Sequence, residues 1–385
     1  MRGRPGERGA VGAGRPRQRR RAGSGSGSGR GVTPGTDRAL STRSFGNPVR
    51  TAVLPTCPRP AATDAAGPRS TRTRSLEAAV REPRARRSEL ATPASSERMC
   101  EKAAGSGADL VFLDLEDACA PSAKEAARGI AVNALTSQDW GHTVRAVRVN
   151  GLDTPWCHDD IIEIVTGARN DVDVLIVPKV RSARDVWWVD VLLTQLETKL
   201  RLPRQIGLEV LIEEAEGLSN AAEIAKASPR LEAIIFGAGD LSASMKARVD
   251  GNFDPVGPYP GDFWHFARVQ VLAAARGAGI DAIDAPFPAY KDPEGYRTSA
   301  THASLLGFDG KWAIHPSQIA IANEVFAPTA REVAEAHEAV EIYRKSEEEG
   351  VGAIGRDGRL VDAAHMRLAA NTLHKAALAG VESSA

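Results

Sequence analysis

The sequence predicts a (β/α)8 barrel with a C-terminal helical extension and a disordered N-terminal segment. From Ser88 onward, eight short runs rich in Val, Ile and Leu alternate with longer segments that are rich in Ala and charged residues. The short runs are continuously apolar, as expected of parallel strands that are buried on both faces beneath covering helices. Eight such runs in succession favour a closed barrel over an open sheet.

The eight predicted strands are residues 88–92, 109–115, 143–149, 172–177, 206–212, 231–236, 280–285 and 310–314. The segments between them place apolar residues at helical spacing. In the segment 182–196, this spacing predicts an amphipathic helix in which Trp187 and Trp188 pack against neighbouring elements. Residues 245–262 are rich in Gly, Pro and Asp, so we expect a long loop at the active rim of the barrel.

Three segments divide the chain. Residues 1–86 form an extension rich in Arg, Gly and Ser, residues 87–328 form the catalytic barrel, and residues 329–385 form a C-terminal helical arm. Within the arm, a charged helix is predicted over 329–349, a Gly-rich break over 350–362 and a last helix over 363–379. The arm is too long for a frayed terminus, so it is predicted to be a lid or an oligomerisation arm.

The N-terminal extension differs sharply in charge from the rest of the chain. Residues 1–87 contain 20 Arg, no Lys and 5 acidic residues, although the whole chain of 385 residues has a formal net charge of zero. The absence of apolar periodicity predicts disorder. An extension without function, an organelle transit peptide and a nucleic-acid-binding tail are the three interpretations. The Gly-Ser repeat and the absence of Lys favour the first and argue against nucleic acid as a partner.

Cysteine usage and hydropathy bear on the compartment. The four Cys residues are scattered and form no Cys-x-x-Cys pair, which favours a reducing compartment over a disulfide framework. No apolar run approaches the roughly 20 residues that a membrane helix requires. We therefore expect a soluble, cytoplasmic protein with no membrane partner, and organelle targeting by residues 1–86 is the alternative.

Polar residues follow nearly every predicted strand. In a (β/α)8 barrel the chemistry belongs to the carboxyl ends of the strands, so these residues should converge at one rim. Several acids and two bases at one rim are costly to hold unless the charges pair or bind a cation. The residues are Asp114, Glu116, Asp117, Arg148, Asn150, Lys179, Glu213, Asp240, Asp284 and His315.

Glu213 and Asp240 are the predicted metal ligands. They end adjacent strands, and Gly237 and Gly239 before Asp240 allow a ligand to approach the backbone closely. Two carboxylates completed by water and substrate oxygens suit Mg²⁺, or Mn²⁺, better than Zn²⁺. The alternative is that both are solvated rim carboxylates. His315 lacks the partner spacing of a zinc site and is predicted to anchor a loop.

Arg148 is the predicted electrophilic group. Its planar guanidinium could clamp a carboxylate or stabilise an oxyanion that develops during reaction. The alternative is a structural ion pair with Glu116, and the two interpretations are compatible.

Several motifs together resemble the citrate lyase β-subunit/malyl-CoA lyase group of the HpcH/HpaI aldolases. The stretches Val-Asn-Gly-Leu-Asp-Thr-Pro, Lys-Trp-Ala-Ile-His-Pro and Gly-Arg-Leu-Val-Asp look most like malyl-CoA and β-methylmalyl-CoA lyases. The resemblance covers residues 87–362, and residues 1–86 have no counterpart. The motif segments are 112–118, 147–155, 177–180, 209–213, 237–241, 311–316 and 358–362.

The resemblance implies a role for each predicted catalytic residue. It places Mg²⁺ on the two carboxylates named above and Arg148 at the reacting carbonyl. Glu116 and Asp117 would orient Arg148 and the water on the cation. Asp362 would enter the active site of a neighbouring subunit as the acid/base, which makes a trimer or hexamer part of catalysis.

The resemblance also implies a CoA thioester as substrate. Arg98 and Lys102 are candidates for contact with the CoA phosphates, or else are ordinary cations of a helix surface. Ala94 stands where the family usually has Gly, so the details of CoA contact near the first strand depart from the family pattern.

The implied reaction is the reversible cleavage of malyl-CoA or β-methylmalyl-CoA to acetyl-CoA or propionyl-CoA plus glyoxylate. A malyl-CoA thioesterase, a citramalyl-CoA lyase and a citrate lyase β-type subunit are the alternatives.

Overall fold

The computed structural model describes residues 83–348, 350, 353–356 and 359–382, and it shows a closed barrel of eight parallel strands in sequential order. The predicted fold class is confirmed, and each strand lies within one residue of its predicted range. Of residues 1–86, which were predicted to be disordered, 1–82 lie outside the described residues. The strands are β1 Ser88–Pro93, β2 Leu110–Asp114, β3 Val144–Arg148, β4 Val174–Val177, β5 Gly207–Ile212, β6 Leu231–Phe236, β7 Asp281–Asp284 and β8 Gly310–Ala313.

Helices follow the strands and cover the barrel from outside. They are α1 Glu97–Ala104, α2 Lys124–Ser137, α3 Cys157–Ala168, α4 Ala183–Leu200, α5 Ala215–Ser219, α6 Ala221–Ile224, α7 Ala238–Ser244, α8 His265–Ala278, α9 Pro293–Leu306, α10 Ile319–Phe326, α11 Ala330–Glu348 and α12 Ala363–Ala379. In the described part of the chain, no helix is both long enough and apolar enough to cross a membrane.

Strand alternation divides the core into two layers. One small cluster fills the barrel interior and includes Phe112, Ala146, Ile176 and Trp312. The alternate strand positions face outward and pack against the helices in a much larger cluster. Side chains of a strand alternate between faces, so the inward set continues at every second residue to the end of each strand.

The N-terminal end of the barrel is closed by an ion-pair cluster, which we call the floor. Arg86 is 4% exposed and pairs with Glu209, Glu232 and Asp281. Glu89 accepts a hydrogen bond of 2.9 Å from the Trp312 indole. These contacts begin before residue 87, so the folded barrel starts slightly upstream of the predicted boundary.

The predicted loop over 245–262 follows α7. Val249 and Pro255 form an isolated bridge within it. The Phe253 ring lies so close to Gly239 that an added Cβ there would meet it at 3.0 Å. The loop therefore packs directly against the turn that carries Asp240.

The C-terminal arm contains the two predicted helices, α11 and α12, packed against each other. A short antiparallel hairpin, β9 Ile354–Arg356 and β10 Arg359–Val361, occupies part of the predicted Gly-rich break. Lys375 on α12 reaches the barrel, where its Nζ lies 3.1 Å from Asp309 Oδ1.

The predicted packing of the two tryptophans is wrong. Trp187 is 61% and Trp188 38% exposed, whereas Val186 and Val189 are buried. Apolar residues occupy more than one face of α4, and the aliphatic face is the one turned to the barrel.

Candidate active site

Three inward-facing strand ends supply the charged centre of the C-terminal mouth. Asp114 continues the inward set of β2, Arg148 that of β3, and Glu213 follows Leu211 of β5 by two residues. All three are at least nine-tenths buried. The even spacing along each strand therefore delivers two carboxylates and a guanidinium to the same rim.

Arg148 is locked in place by two acidic residues. Its Nε and Nη2 donate to the two carboxylate oxygens of Asp114 at 2.7 and 2.6 Å, and its Nη1 lies 2.9 Å from Glu116 Oε2. The guanidinium also stacks over the Trp312 ring at 5.3 Å. Burial alone would lower the pKa of Arg148, but Asp114 and Glu116 more than offset it, so its pKa is raised and it stays charged.

Glu213 lies in a tight backbone cradle at the end of β5. Its Oε1 accepts a hydrogen bond of 2.9 Å from the backbone N–H of Lys179. A Cβ on Gly237 would lie 2.6 Å from Glu213 Cβ and 2.8 Å from its Oε2. Burial, together with the nearby charge of Glu116, raises the pKa of Glu213 to about 8. Only glycine at position 237 leaves room for this carboxylate.

Asp240 enters the mouth from the first turn of α7, whose N-terminal flanking residue is Gly237. Its side chain is 38% exposed, and its Oδ2 lies 3.1 Å from Lys179 Nζ. The negative charge of Asp240 also contributes to the raised pKa of Glu213, which reflects their proximity. The structure thus brings together the two predicted metal ligands at one rim.

Lys179 is a further charged residue of the mouth. It follows β4 in a left-handed backbone conformation, with φ of 54°. Its ammonium group contacts Glu116 as well as Asp240. The sequence indicated Lys179 as a polar strand end, but nothing in the Val-Pro-Lys-Val stretch signalled the unusual backbone angle that accompanies this placement.

The donor set fits a hard divalent cation. No cluster of three or more His, Cys, Asp and Glu with metal-binding geometry occurs among the described residues, but Mg²⁺ commonly binds through one or two carboxylates and completes its shell with water and substrate. Glu116 Oε2 is buried and has no hydrogen bond of acceptable geometry among the described residues. That oxygen is nevertheless charge-paired with Arg148 at 2.9 Å, so the oxygen donors that fit a divalent cation are the carboxylates of Glu213 and Asp240.

The loop that carries Glu116 is held by a residue that the sequence did not indicate. Lys124 Nζ donates to the carbonyl oxygens of Leu115 and Glu116 at 2.9 and 2.8 Å and to Asn150 Oδ1 at 2.6 Å. Asn150 therefore joins this support rather than the open mouth. The sequence shows only a Lys at the start of a helical segment, and its burial is known from the structure alone.

Glu116 and Asp117 were predicted to orient Arg148 and the water on the cation, and of the two only Glu116 contacts Arg148 in the described part of the chain. Asp117 is 64% exposed and lies 3.6 Å from Lys179 Nζ. Asp114 takes the second position on Arg148, because it continues the inward set of β2 whereas Asp117 lies in the loop beyond the strand.

Two other strand-end residues do not join the centre. Asp284 follows the inward Ile283 by one residue, so it faces outward and pairs with Lys311 at 2.6 Å and Arg268 at 2.8 Å. His315 takes the predicted loop-anchoring position, where its Nδ1 accepts a hydrogen bond of 3.2 Å from the backbone N–H of Ser317.

The remaining predicted residues lie on the surface. Arg98 and Lys102 are exposed and one helical turn apart on α1, which follows β1 at the same end of the barrel. Asp362 caps α12, and its recorded hydrogen bonds among the described residues are local, to Ala364 and His365.

Fold and site define a (β/α)8 enzyme with an acidic mouth suited to a divalent cation. The family comparison agrees, because the model of the HpcH/HpaI aldolase/citrate lyase family matches residues 87–316. The chain belongs to this family of carbon–carbon lyases, as the sequence predicted.

Named relatives and solved structures are consistent with this assignment. An L-malyl-CoA/β-methylmalyl-CoA lyase of Rhodobacter capsulatus is 41% identical over 77% of this chain and 96% of its own length. A (3S)-malyl-CoA thioesterase of Cereibacter sphaeroides is 38% identical over 75% of this chain and 94% of its own. The crystal structure of the protein CitE from Mycobacterium tuberculosis in complex with magnesium, acetoacetate and coenzyme A matches with a TM-score of 0.60. That structure is 30% identical and covers 75% of this chain and 97% of the CitE chain.

Proposed function

We propose that this protein is a Mg²⁺-dependent CoA-ester lyase that cleaves malyl-CoA or β-methylmalyl-CoA reversibly to acetyl-CoA or propionyl-CoA plus glyoxylate. The observation that carries the proposal is the buried guanidinium of Arg148, which Asp114 fixes at the same rim as the Glu213 and Asp240 carboxylates. The relatives named as malyl-CoA/β-methylmalyl-CoA lyases support the choice of substrate.

Glu213 and Asp240 would hold the cation, with water and substrate oxygens completing its shell. When bound, Mg²⁺ supplies Lewis acidity and a template for the carboxylate and adjacent oxygen of the 2-oxoacid. Mn²⁺, which prefers similar oxygen ligands, should substitute for it.

Arg148 would bind the oxygen on which negative charge develops. Asp114 takes the Nε/Nη2 edge of the guanidinium and Glu116 contacts Nη1, so each terminal nitrogen still carries a second N–H that can donate to substrate. Because the two carboxylates fix the group before substrate arrives, its donors need little reorganisation during the reaction.

Asp362 would move the proton at the acyl-CoA carbon. In the condensation direction its carboxylate takes a proton from the α-carbon, the resulting carbanion attacks the aldehyde carbon of glyoxylate, and the protonated Asp362 then gives that proton to the former aldehyde oxygen, which becomes the hydroxyl. Cleavage is the reverse, with the proton returned from Asp362 to the α-carbon. Since its recorded hydrogen bonds are local to α12, we propose that it serves the mouth of a neighbouring subunit in a trimer or hexamer.

Complementation of two inactive variants tests this exchange. Asp362→Asn keeps a good helix cap but removes the acid/base, and Arg148→Lys removes the planar fork. Each homo-oligomer should be inactive, whereas co-refolded mixtures should recover part of the wild-type rate. A mixture as inactive as its components would contradict exchange between subunits.

Arg98 and Lys102 are the proposed contacts for the CoA phosphates. Both are exposed on α1, close enough along the helix to contact one diphosphate. Replacing both by Gln should raise the KM for the CoA ester and leave kcat nearly unchanged, and an unchanged KM would refute the assignment.

Product analysis with purified protein is the direct test of the lyase. Malyl-CoA and Mg²⁺ should yield glyoxylate, trapped as its phenylhydrazone, in equal amount to acetyl-CoA. Glu213→Gln should abolish this turnover, and Mg²⁺-dependent formation of glyoxylate at the normal rate in that variant would refute the metal assignment. A panel with β-methylmalyl-CoA and citramalyl-CoA then fixes the acyl group.

A thioesterase is the second candidate, because a relative named (3S)-malyl-CoA thioesterase is 38% identical over 75% of the chain. In that reaction water would attack the thioester carbonyl within the same mouth. Free malate and CoA without glyoxylate would establish hydrolysis and overturn the lyase proposal.

A further inference from the structure

Lys179 occupies the centre of the acidic mouth. Its Nζ contacts Glu116 Oε1 and lies 3.1 Å from Asp240 Oδ2 and 3.6 Å from Asp117 Oδ2. The same residue donates its backbone N–H to Glu213. Lys179 therefore contacts both proposed metal ligands, one through its side chain and the other through its backbone.

The mouth carries more negative than positive charge. Glu116, Asp117 and Asp240 all contact Lys179, while Arg148 is held by Asp114 and Glu116. In the described part of the chain, Asp240 forms its ion pair with Lys179. A lysine ammonium group is ordinarily charged at neutral pH, and this one contacts three carboxylates.

We propose that Lys179 is an internal counter-cation that competes with the divalent metal for Asp240. This inference rests on the proposed role of Glu213 and Asp240 as metal ligands. In the metal-free protein the ammonium group bridges Glu116 and Asp240. When the metal binds, the ammonium group leaves Asp240 and stays with Glu116 and Asp117, so Lys179 is a positioning residue that sets the affinity of the site.

Electrostatics determine the direction of this exchange. A divalent cation on Asp240 Oδ2 would lie within a few ångströms of the ammonium group, which is 3.1 Å from the same oxygen. Two like charges at that separation repel. The ammonium group has an alternative partner, because Asp117 Oδ2 lies 3.6 Å from it and the Asp117 side chain is exposed.

Removing the charge of Lys179 should therefore tighten metal binding. For a monovalent and a divalent charge roughly 5 Å apart in a water-like dielectric, the lost repulsion corresponds to about a tenfold decrease in Kd. A residue that merely supported the mouth would have the opposite effect, since its removal would disorder the carboxylates and weaken binding.

The test is Mn²⁺ binding to the full-length protein, measured by electron paramagnetic resonance of free Mn²⁺ without substrate. Lys179→Met and Lys179→Gln should lower the Kd about tenfold, and Lys179→Arg should stay near the wild type. Arg181→Met is the matched control, because Arg181 lies on the same loop but pairs with Asp153 and Glu214. Its Kd should stay within about twofold of the wild type.

The outcomes separate this inference from the proposed function. An unchanged or higher Kd in both the Met and Gln variants, with the wild-type site present and lost in Glu213→Gln, would overturn the role of Lys179 alone. A wild-type protein without a saturable Mn²⁺ site that depends on Glu213 would overturn the metal assignment and this inference with it.

Discussion

Asp114→Asn is the most informative single substitution for the site, because it changes one atom and removes the charge that fixes Arg148. Asp114 is 1% exposed and accepts from Arg148 twice, and also from the backbone N–H groups of Glu116 and Ala118 at 2.9 and 3.1 Å. The Asn side chain retains one acceptor oxygen, but its amide group faces an N–H donor. Breaking a buried pair costs about 3–5 kcal/mol, and we expect about 3 kcal/mol here because part of the hydrogen bonding survives.

Two measurements follow from this substitution. In urea unfolding, the free energy of unfolding should fall by about 3 kcal/mol, and kcat should fall by about 100-fold or more, as when a preorganised charge-stabilising donor is misplaced. Asp159→Asn, an exposed acid that contacts only His158 in the recorded pairs, is the control and should change neither. A stable Asp114→Asn protein with normal kcat would refute the argument that Asp114 holds Arg148 for catalysis.

The pH dependence of the same pair has a defined sign. The charge of Arg148 outweighs the effect of burial and lowers the pKa of Asp114 below its ordinary value of 3.8. The stabilisation is therefore complete above the unfolded-state pKa and is lost as the pH falls through the lower folded-state pKa. Asp114→Asn should remove this part of the acid sensitivity.

Three other predictions concern the cradle and the floor. Gly237→Ala should displace Glu213 and raise the Kd for Mn²⁺ at least about tenfold. Gly251→Ala is the control, because an added Cβ there meets nothing within 4 Å, and it should leave the Kd unchanged. Equal Kd values for the two variants in binding titrations would contradict the claim that Gly237 makes room for Glu213. Arg86→Met should lower the free energy of unfolding, measured in urea, by about 3–5 kcal/mol and leave the Mn²⁺ affinity unchanged. A loss under 1 kcal/mol would contradict the argument that the ion pairs of Arg86 stabilise the floor. Burial raises the pKa of Glu209 to about 7, so the free energy of unfolding should decrease as the pH rises from about 5 to 7. Glu209→Gln should flatten this dependence on pH. An unchanged dependence in that variant would contradict the role of Glu209.

The sequence predicted the barrel well because the physical signal was strong and repeated. Eight apolar runs separated by helical segments leave few topologies, and parallel strands joined by helices close in sequential order. The rim positions of Glu213 and Asp240 could be predicted for the same reason, since Glu213 directly follows β5 and Asp240 lies four residues beyond the end of β6.

The same apolar runs could not predict which strand-end side chains point into the barrel and which point outward. Asp114 and Asp284 both end apolar strands, yet the first faces Arg148 and the second faces Arg268 on the outer helix layer. A strand that is apolar on both faces shows no alternation from which the inward set could be read. The two carboxylates are distinguished only by strand register in the closed barrel.

The sequence also did not predict the unusual backbone conformation of one rim residue or which face of a helix packs against the barrel. A left-handed residue is usually signalled by Gly or Asn, but here it is Lys179. For Trp187, the helix carries apolar side chains around more than one face, so periodicity predicted the helix correctly but not which face packs.

Both ends of the barrel carry several acidic residues, but the two sets differ in their exposure to solvent. At the floor, Glu89 and Glu209 are fully buried, and burial raises the pKa of both, so protons can neutralise the excess charge there. At the mouth, Asp117 and Asp240 are 64% and 38% exposed, so a hydrated cation can approach from solvent. The same excess of carboxylates therefore destabilises the floor as pH rises, whereas at the mouth it provides binding energy for a ligand of opposite charge. Access to solvent, rather than the number of acids, makes the mouth the end of the barrel that suits a cation.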